Sequence, residues 1–327
     1  MHSFFFILRN GAVFAFILCA LMCRCLAATP LITLTVQTDS PREPSITMLL
    51  RLPPQAAEGK NIPGMVCYCS WQSDPDSIRA NLEAEQGAFS YLMRYADQKG
   101  FAILTWTTAT LWNPGKNYDA YSPKAYVKLD DGFDLVATAW ENGLLQLAGK
   151  YGVPKEKLLI SGMSRGAQWA HRLVLAKPGR FLAIHAHIAS SYAKPLPEAQ
   201  NIFWLVTTGQ SEPGYPLACK FYHDCMELGY PIVFKAQENL GHTTSGLEGR
   251  LEIAYFDYAL GIQKQIDDHF DQNAGTLRMA DFLKPPFIGD FVNNAAFPSS
   301  EAEMVPETQK VCLPTKEIAE TWGPILK

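Results

Sequence analysis

Gly162-Met163-Ser164-Arg165-Gly166 is a G-x-S-x-G sequence lying between a short apolar run, residues 158–161, and an amphipathic stretch from residue 167. A serine that attacks a carbonyl must stand clear on a sharp strand-to-helix turn, in strained backbone. Flanking glycines leave room for that turn. Its hydroxyl is a weak nucleophile until a histidine takes the proton, and the histidine needs a carboxylate to hold its tautomer. On a mostly parallel sheet the three follow in the chain order serine, acid, histidine. An apolar run at 202–208 leads into Gly209-Gln210-Ser211-Glu212, and another at 232–237 leads into Asn239-Leu240-Gly241-His242. Glu212 comes 48 residues after Ser164, and His242 comes 30 after Glu212, each enough for a helix and a strand. Order, spacing and loop placement agree on Ser164 as nucleophile, Glu212 as orienting acid and His242 as general base.

Asp224 and Glu238 are the alternative acids. Among the other histidines, His223 and His171 fall inside helical patterns and His269 lies beyond the last strand. His185 and His187 share one face of a buried strand and read as hydrogen-bonded core or pocket-floor groups. A tetrahedral intermediate also needs donors for its oxyanion. The backbone N–H of Arg165 is one, and that of Trp71, beside Ser70 after the run 65–71, is the other. A long aromatic segment follows residue 106. If its loop overhangs the site, Trp112, Tyr118 and Tyr121 stack on a sugar or phenolic ring; otherwise they pack the loop itself. The chemistry calls for no cofactor, and no cysteines have zinc-ligand spacing with a matching pair.

The elements that must position these residues alternate between strand and helix, which argues a mostly parallel sheet with helices on both faces. Residues 32–37 and 46–52 read as an antiparallel pair across the turn at Ser40-Pro41. Strands follow at 65–71, 101–107, 158–161, 182–189, 202–208 and 232–237. Helices are expected around 78–99, at 131–151, 167–176, 215–228 and 247–260. The helix at 131–151 turns Phe133, Val136, Trp140, Leu144 and Leu145 to one face. The last stretch, 273–327, is Pro-rich with short regular pieces, and Phe287, Phe291 and Trp322 suit it to pack back as an irregular C-terminal strap.

The composition excludes other classes. The chain has 327 residues, 48% hydrophobic and 18% charged, with a net charge of −4, so it is neither disordered nor collagen-like. It has no basic surplus for nucleic acid. The apolar run at 11–23, between Arg9 and Arg24, is too short to span about 30 Å of hydrocarbon and suits a secretory leader. Small residues at Cys25 and Ala27 place cleavage after Ala27. The mature chain is then secreted or periplasmic, with no stable membrane insertion, a catalytic domain over 28–272 and the extension over 273–327. Loss of the leader takes the charge to −6 and the cysteines from eight to five: Cys67, Cys69, Cys219, Cys225 and Cys312. Cys67 and Cys69 read as small buried hydrophobes; Cys219 and Cys225 are close enough in sequence to bridge.

The GMSRG elbow, the GQSE acid loop and the GH base loop resemble the α/β-hydrolases, over roughly residues 30–262. Within that superfamily the chain is similar to the secreted serine esterases, the branch of polyhydroxybutyrate depolymerase-like, feruloyl and acetylxylan esterases. The resemblance implies an eight-stranded, mostly parallel sheet and a serine carboxylesterase acting on a small-molecule or polymeric ester. It implies the same roles for Ser164, Glu212 and His242. Two features depart from it: Cys69-Ser70-Trp71-Gln72 lacks the His-Gly usual at the oxyanion loop, and the tail has no counterpart. Serine peptidases of the prolyl-oligopeptidase type share the fold and residue order, but usually carry a propeller domain upstream. An inactive hydrolase fold serving as a binding protein is the remaining alternative.

Overall fold

The computed structural model describes residues 31–41, 43–83, 90–107, 126, 131–268 and 274–326. The expected leader, His269 and the rings of Trp112, Tyr118 and Tyr121 lie outside the described residues.

Eight strands form the main sheet: β1 (Leu31–Ser40), β2 (Glu43–Arg51), β3 (Met65–Cys69), β4 (Ala102–Trp106), β5 (Leu158–Met163), β6 (Phe181–His187), β7 (Phe203–Gly209) and β8 (Ile232–Gln237). Their order is β1-β2-β4-β3-β5-β6-β7-β8. β1 pairs antiparallel with β2, and β2 with β4; from β4 to β8 every pairing is parallel. Strands β3 to β8 are buried along nearly their whole length. That burial explains why they read as continuous apolar runs while β1, at the edge, alternates. The order reverses between β3 and β5, and a crevice opens beyond the strand ends at such a reversal.

The helices are α1 (Pro75–Glu83), α2 (Ser90–Lys99), α3 (Asp131–Tyr151), α4 (Arg165–Ala176), α5 (Tyr215–Glu227) and α6 (Leu247–Asp268). On one face Trp106 of β4 packs against Trp140 of α3 and Trp169 of α4, at centroid distances of 5.4 and 6.5 Å. Glu141 of α3 takes Lys177, which caps the end of α4, and Arg180 just beyond it, at 2.8 Å each. On the other face α2 meets α6 through Tyr91 O–H to Glu252 and Tyr95 O–H to Asp257, at 2.5 and 2.7 Å.

The structure corrects several expectations. Within the helix expected around 78–99, the described residues form α1 and α2. Leu145 is 39% exposed, while Ala137, Ala139 and Leu147 join the buried stripe of α3; the spacing of apolar residues from 133 to 145 does not decide which edge of the stripe faces out. α4 begins at Arg165, two residues early, because the turn after Ser164 is already helical. α6 runs to Asp268 because Ile262 and Gln263 continue its buried face beyond the last long apolar run.

The tail is more regular than its proline content suggests. After α7 (Ala274–Leu283), the strands β9 (Phe287–Asp290), β10 (Ala295–Pro298) and β11 (Lys310–Leu313) make an antiparallel sheet in the order β10-β9-β11, followed by α8 (Lys316–Trp322). Phe291, Val311, Leu313, Ile318 and Trp322 belong to the same buried cluster as the main sheet. The Trp322 indole N–H donates to the carbonyl of Phe234 in β8 at 2.7 Å. Cys67, Cys69 and Cys225 are buried, Cys219 and Cys312 half-buried, and all five are free thiols.

Candidate active site

Ser164 connects β5 to α4 with φ 55° and ψ −119°, a conformation that side chains other than glycine rarely adopt. Such backbone costs of order 1–3 kcal/mol and persists only where its surroundings over-determine it. The two elbow glycines show how. A Cβ on Gly166 would lie 2.0 Å from the Cys69 carbonyl oxygen, and one on Gly162 would lie 2.5 Å from the Gly166 carbonyl group. The elbow is thus pressed against the end of β3. The Ser164 N–H donates to the His187 carbonyl at 2.9 Å, and the Ser164 carbonyl accepts from Gln168 N–H at 3.0 Å.

The structure brings the three residues singled out from the sequence into one line. Ser164 Oγ is 2.8 Å from His242 Nε2, and His242 Nδ1 is 3.0 Å from Glu212 Oε2. With Glu212 as a carboxylate, Nδ1–H donates to it and Nε2 accepts the serine proton. The side chain of Glu212 is 2% exposed and that of His242 46% exposed. Ser190 O–H adds a bond to the other carboxylate oxygen of Glu212 at 3.3 Å. The alternative acids lie elsewhere: Asp224 takes Lys220 and Tyr126 O–H at 2.6 Å each, and Glu238 is exposed. The acid and base loops are stitched together by Gln210 N–H to the Gln237 carbonyl and Ser211 N–H to the Leu240 carbonyl, at 2.9 and 3.0 Å.

Arg165 is the first residue of α4, so its backbone N–H belongs to the positive end of that helix. Trp71 directly follows the turn after Cys69, the residue against which Gly166 packs, and Ser70 is fully buried. Arg165 thus belongs to the elbow itself, and Trp71 lies two residues beyond the elbow's contact at Cys69.

A cavity of about 530 Å³ reaches Met163, the residue before Ser164, and Thr244, two residues after His242. His185 and His187 lie in its wall, as pocket-floor groups. His185 Nδ1 meets Glu252 Oε2 at 2.7 Å, and His185 Nε2 and His187 Nδ1 both meet Thr207 Oγ1 at 2.7 Å. Burial pushes His187 down to about 3, helped by the charge of His185 and opposed by Glu248, so its ring is neutral at ordinary pH. Burial works against ionisation of Glu248 as well, yet hydrogen bonds from Ser245, together with other donors, hold its carboxyl at about 2. Sequence reasoning missed Tyr91, Thr207, Ser190, Glu248 and Glu252. The two glutamates stand four apart on α6, a spacing that puts both on one side of the helix but names no partner. No group of three or more His, Cys, Asp or Glu residues able to hold a metal occurs among the described residues.

A six-strand parallel run with Ser164 on the turn after β5, and Glu212 and His242 on the loops after β7 and β8, is the α/β-hydrolase fold. No family model matches the chain. No curated protein matches it either. Several solved structures are similar. A ferulic acid esterase is 16% identical, with a TM-score of 0.47 over 71% of this chain and 95% of its own. An S-formylglutathione hydrolase from Agrobacterium tumefaciens is 14% identical, with a TM-score of 0.46 over 72% of this chain and 94% of its own. A Bacteroides ovatus protein described as a dipeptidyl aminopeptidase IV is 12% identical, with a TM-score of 0.48 over 72% of this chain and 36% of its own.

Proposed function

We propose that the chain is a serine carboxylesterase. One observation carries the reading: the continuous hydrogen-bonded line from buried Glu212 through His242 to Ser164, on a strained elbow at the open ends of a parallel sheet. In this reading His242 Nε2 takes the Ser164 proton as Oγ attacks the ester carbonyl. The Arg165 and Trp71 N–H groups hold the oxyanion, a kind of contact worth about 10²–10³ in rate each. The carbon–oxygen bond to the alcohol breaks, and His242 returns the proton to the departing alcohol. Water then gives a proton to His242, its oxygen attacks the acyl-enzyme, and the acid leaves as Ser164 regains its hydrogen.

The same reading makes the protein an exported enzyme, with residues 1–27 as its removed leader and residues 273–327 as an extension of the catalytic domain. Its substrate is a small or polymeric ester, with Trp112 and Tyr118 as binding rings. Secretion is tested by N-terminal sequencing of the mature protein, which should begin at residue 28. Activity is tested on p-nitrophenyl acetate, butyrate and octanoate, methyl ferulate, acetylated xylan and a proline-linked peptide anilide. Ester turnover that Ser164→Ala abolishes supports the reading. If wild type and Ser164→Ala behave alike on every ester, and neither reacts with a fluorophosphonate, the reading fails. Cleavage of the anilide alone points to a peptidase.

A further inference from the structure

Away from the serine, β8 carries a lysine that the rest of the described molecule leaves without an anionic partner. Lys235 is 7% exposed, and its ammonium rests 4.1 Å from the centroid of the Trp322 ring. No carboxylate or carbonyl among the described residues forms an ion pair or hydrogen bond with it. An ammonium buried in this way is expensive, and a ring face offsets only part of that cost. Burial draws its pKa down to about 8.

The lysine lies in the wall of a cavity of about 490 Å³ where β8, α6 and the strap meet, alongside Gln237, Arg250, Asn294, Glu317 and Trp322. Two features keep the space in front of the ammonium open. The bond from Trp322 to the Phe234 carbonyl holds the indole in place. Gly323 lacks a side chain where a Cβ would lie 2.7 Å from the Asn294 carbonyl oxygen and 3.6 Å from Lys235 Nζ. The Asn294 side chain is itself unsatisfied, with neither its oxygen nor its nitrogen bonded.

We propose that this cavity binds a small monocarboxylate, its charge against Lys235 and its apolar part along Trp322. The surrounding charges select the class. Arg250 from α6 is the second cation in the wall, whereas Glu238 beyond β8 and Glu317 and Glu320 from α8 are anions, Glu320 paired with Lys316 at 3.3 Å. Three carboxylates around the cavity repel a dianion such as phosphate about twice as strongly as a single charge. The site is independent of the reading of Ser164. It does share a wall with the cavity that reaches Met163, because Arg250 lines both and Gln237 bonds Glu248 at 3.2 Å.

The test is fluorine NMR of the full protein labelled with 5-fluorotryptophan, the Trp322 resonance being assigned with Trp322→Phe. Propionate should shift that resonance saturably, with a dissociation constant of about 1 mM. Lys235→Met should weaken the response at least about tenfold, the scale of one lost charge-assisted contact. Ser164→Ala should leave it unchanged, which separates this site from the candidate active site. Affinity in the wild type should fall as pH rises past about 8, when the ammonium loses its proton. No saturable shift overturns the proposal, as does an equal response to propionamide, chloride or phosphate. So does an unchanged response in Lys235→Met. Should that variant not fold, wild-type affinity that stays flat as pH passes 8 overturns it instead.

Discussion

Glu212 and His242 leave neighbouring parallel strands, β7 and β8, and meet 3.0 Å apart with the acid almost fully buried and the histidine nearly half open. The two exposures suit two different tasks. A buried carboxylate keeps a single partner geometry, while an open imidazole is reachable by substrate and water.

Removing the carboxylate charge while keeping its shape separates these tasks. Glu212→Gln should lower kcat by up to about 10⁴-fold, the scale seen when a triad carboxylate becomes an amide, with little change in KM. Steady-state kinetics on a p-nitrophenyl ester check it. Near-full activity would move the orienting role to another acid.

Gly166→Ala tests the close approach of the elbow to β3. A Cβ 2.0 Å from the Cys69 carbonyl has no flexible neighbour to displace, so α4 must shift. Overpacking of this kind costs about 1–3 kcal/mol. Urea unfolding should register that loss, and ester turnover should fall with it, because Ser164 and the Trp71 N–H are moved apart.

Acid stability should depend on His171. Its Nδ1–H donates to the Ala167 carbonyl at 2.9 Å and its Nε2 accepts from Ala193 N–H at 2.8 Å, so the fold is satisfied by the neutral ring. Burial, with the charge of Arg172, lowers its pKa from 6.5 to about 3. Between these two values the unfolded chain holds the extra proton, so stability is complete above pH 6.5 and falls as pH drops toward 3. One such group contributes a slope of about 1.4 kcal/mol per pH unit. His171→Gln should be less stable at neutral pH yet lose stability less steeply on acidification, as read from urea midpoints across that window. An unchanged slope would assign the acid loss to other groups, His187 first among them.

The strap should be integral to the fold. Trp322 is 2% exposed and bonded to β8, and Gln210 of the acid loop donates its side-chain amide to the carbonyls of Phe291 and Val292. Trp322→Ala should cost about 3–5 kcal/mol, measured by chemical denaturation. A loss near zero would show the strap to be a detachable cover.

Much of this arrangement is legible along the chain. Buried parallel strands need apolar residues on both faces, so β3 to β8 stand out as short continuous runs. The elbow glycines stand out because no larger residue fits between a strand end and the next turn. Other parts leave no local trace. Glu252 lies on α6 between Leu251 and Ile253, and only the packing of α6 over β6 brings it to His185. Lys235 sits within an apolar strand whose neighbours could as well have supplied an acid.

The sequence by itself determined the alternation of strand and helix, the turn that bears Ser164 and the order in which acid and histidine follow. These depend on residue size, polarity and spacing, which are local. Tertiary structure alone decided how closely Glu212 and His242 meet, and that the tail folds into a sheet against β8. Those outcomes depend on which loops leave adjacent strands and on what covers a sheet edge, contacts between residues far apart in the chain.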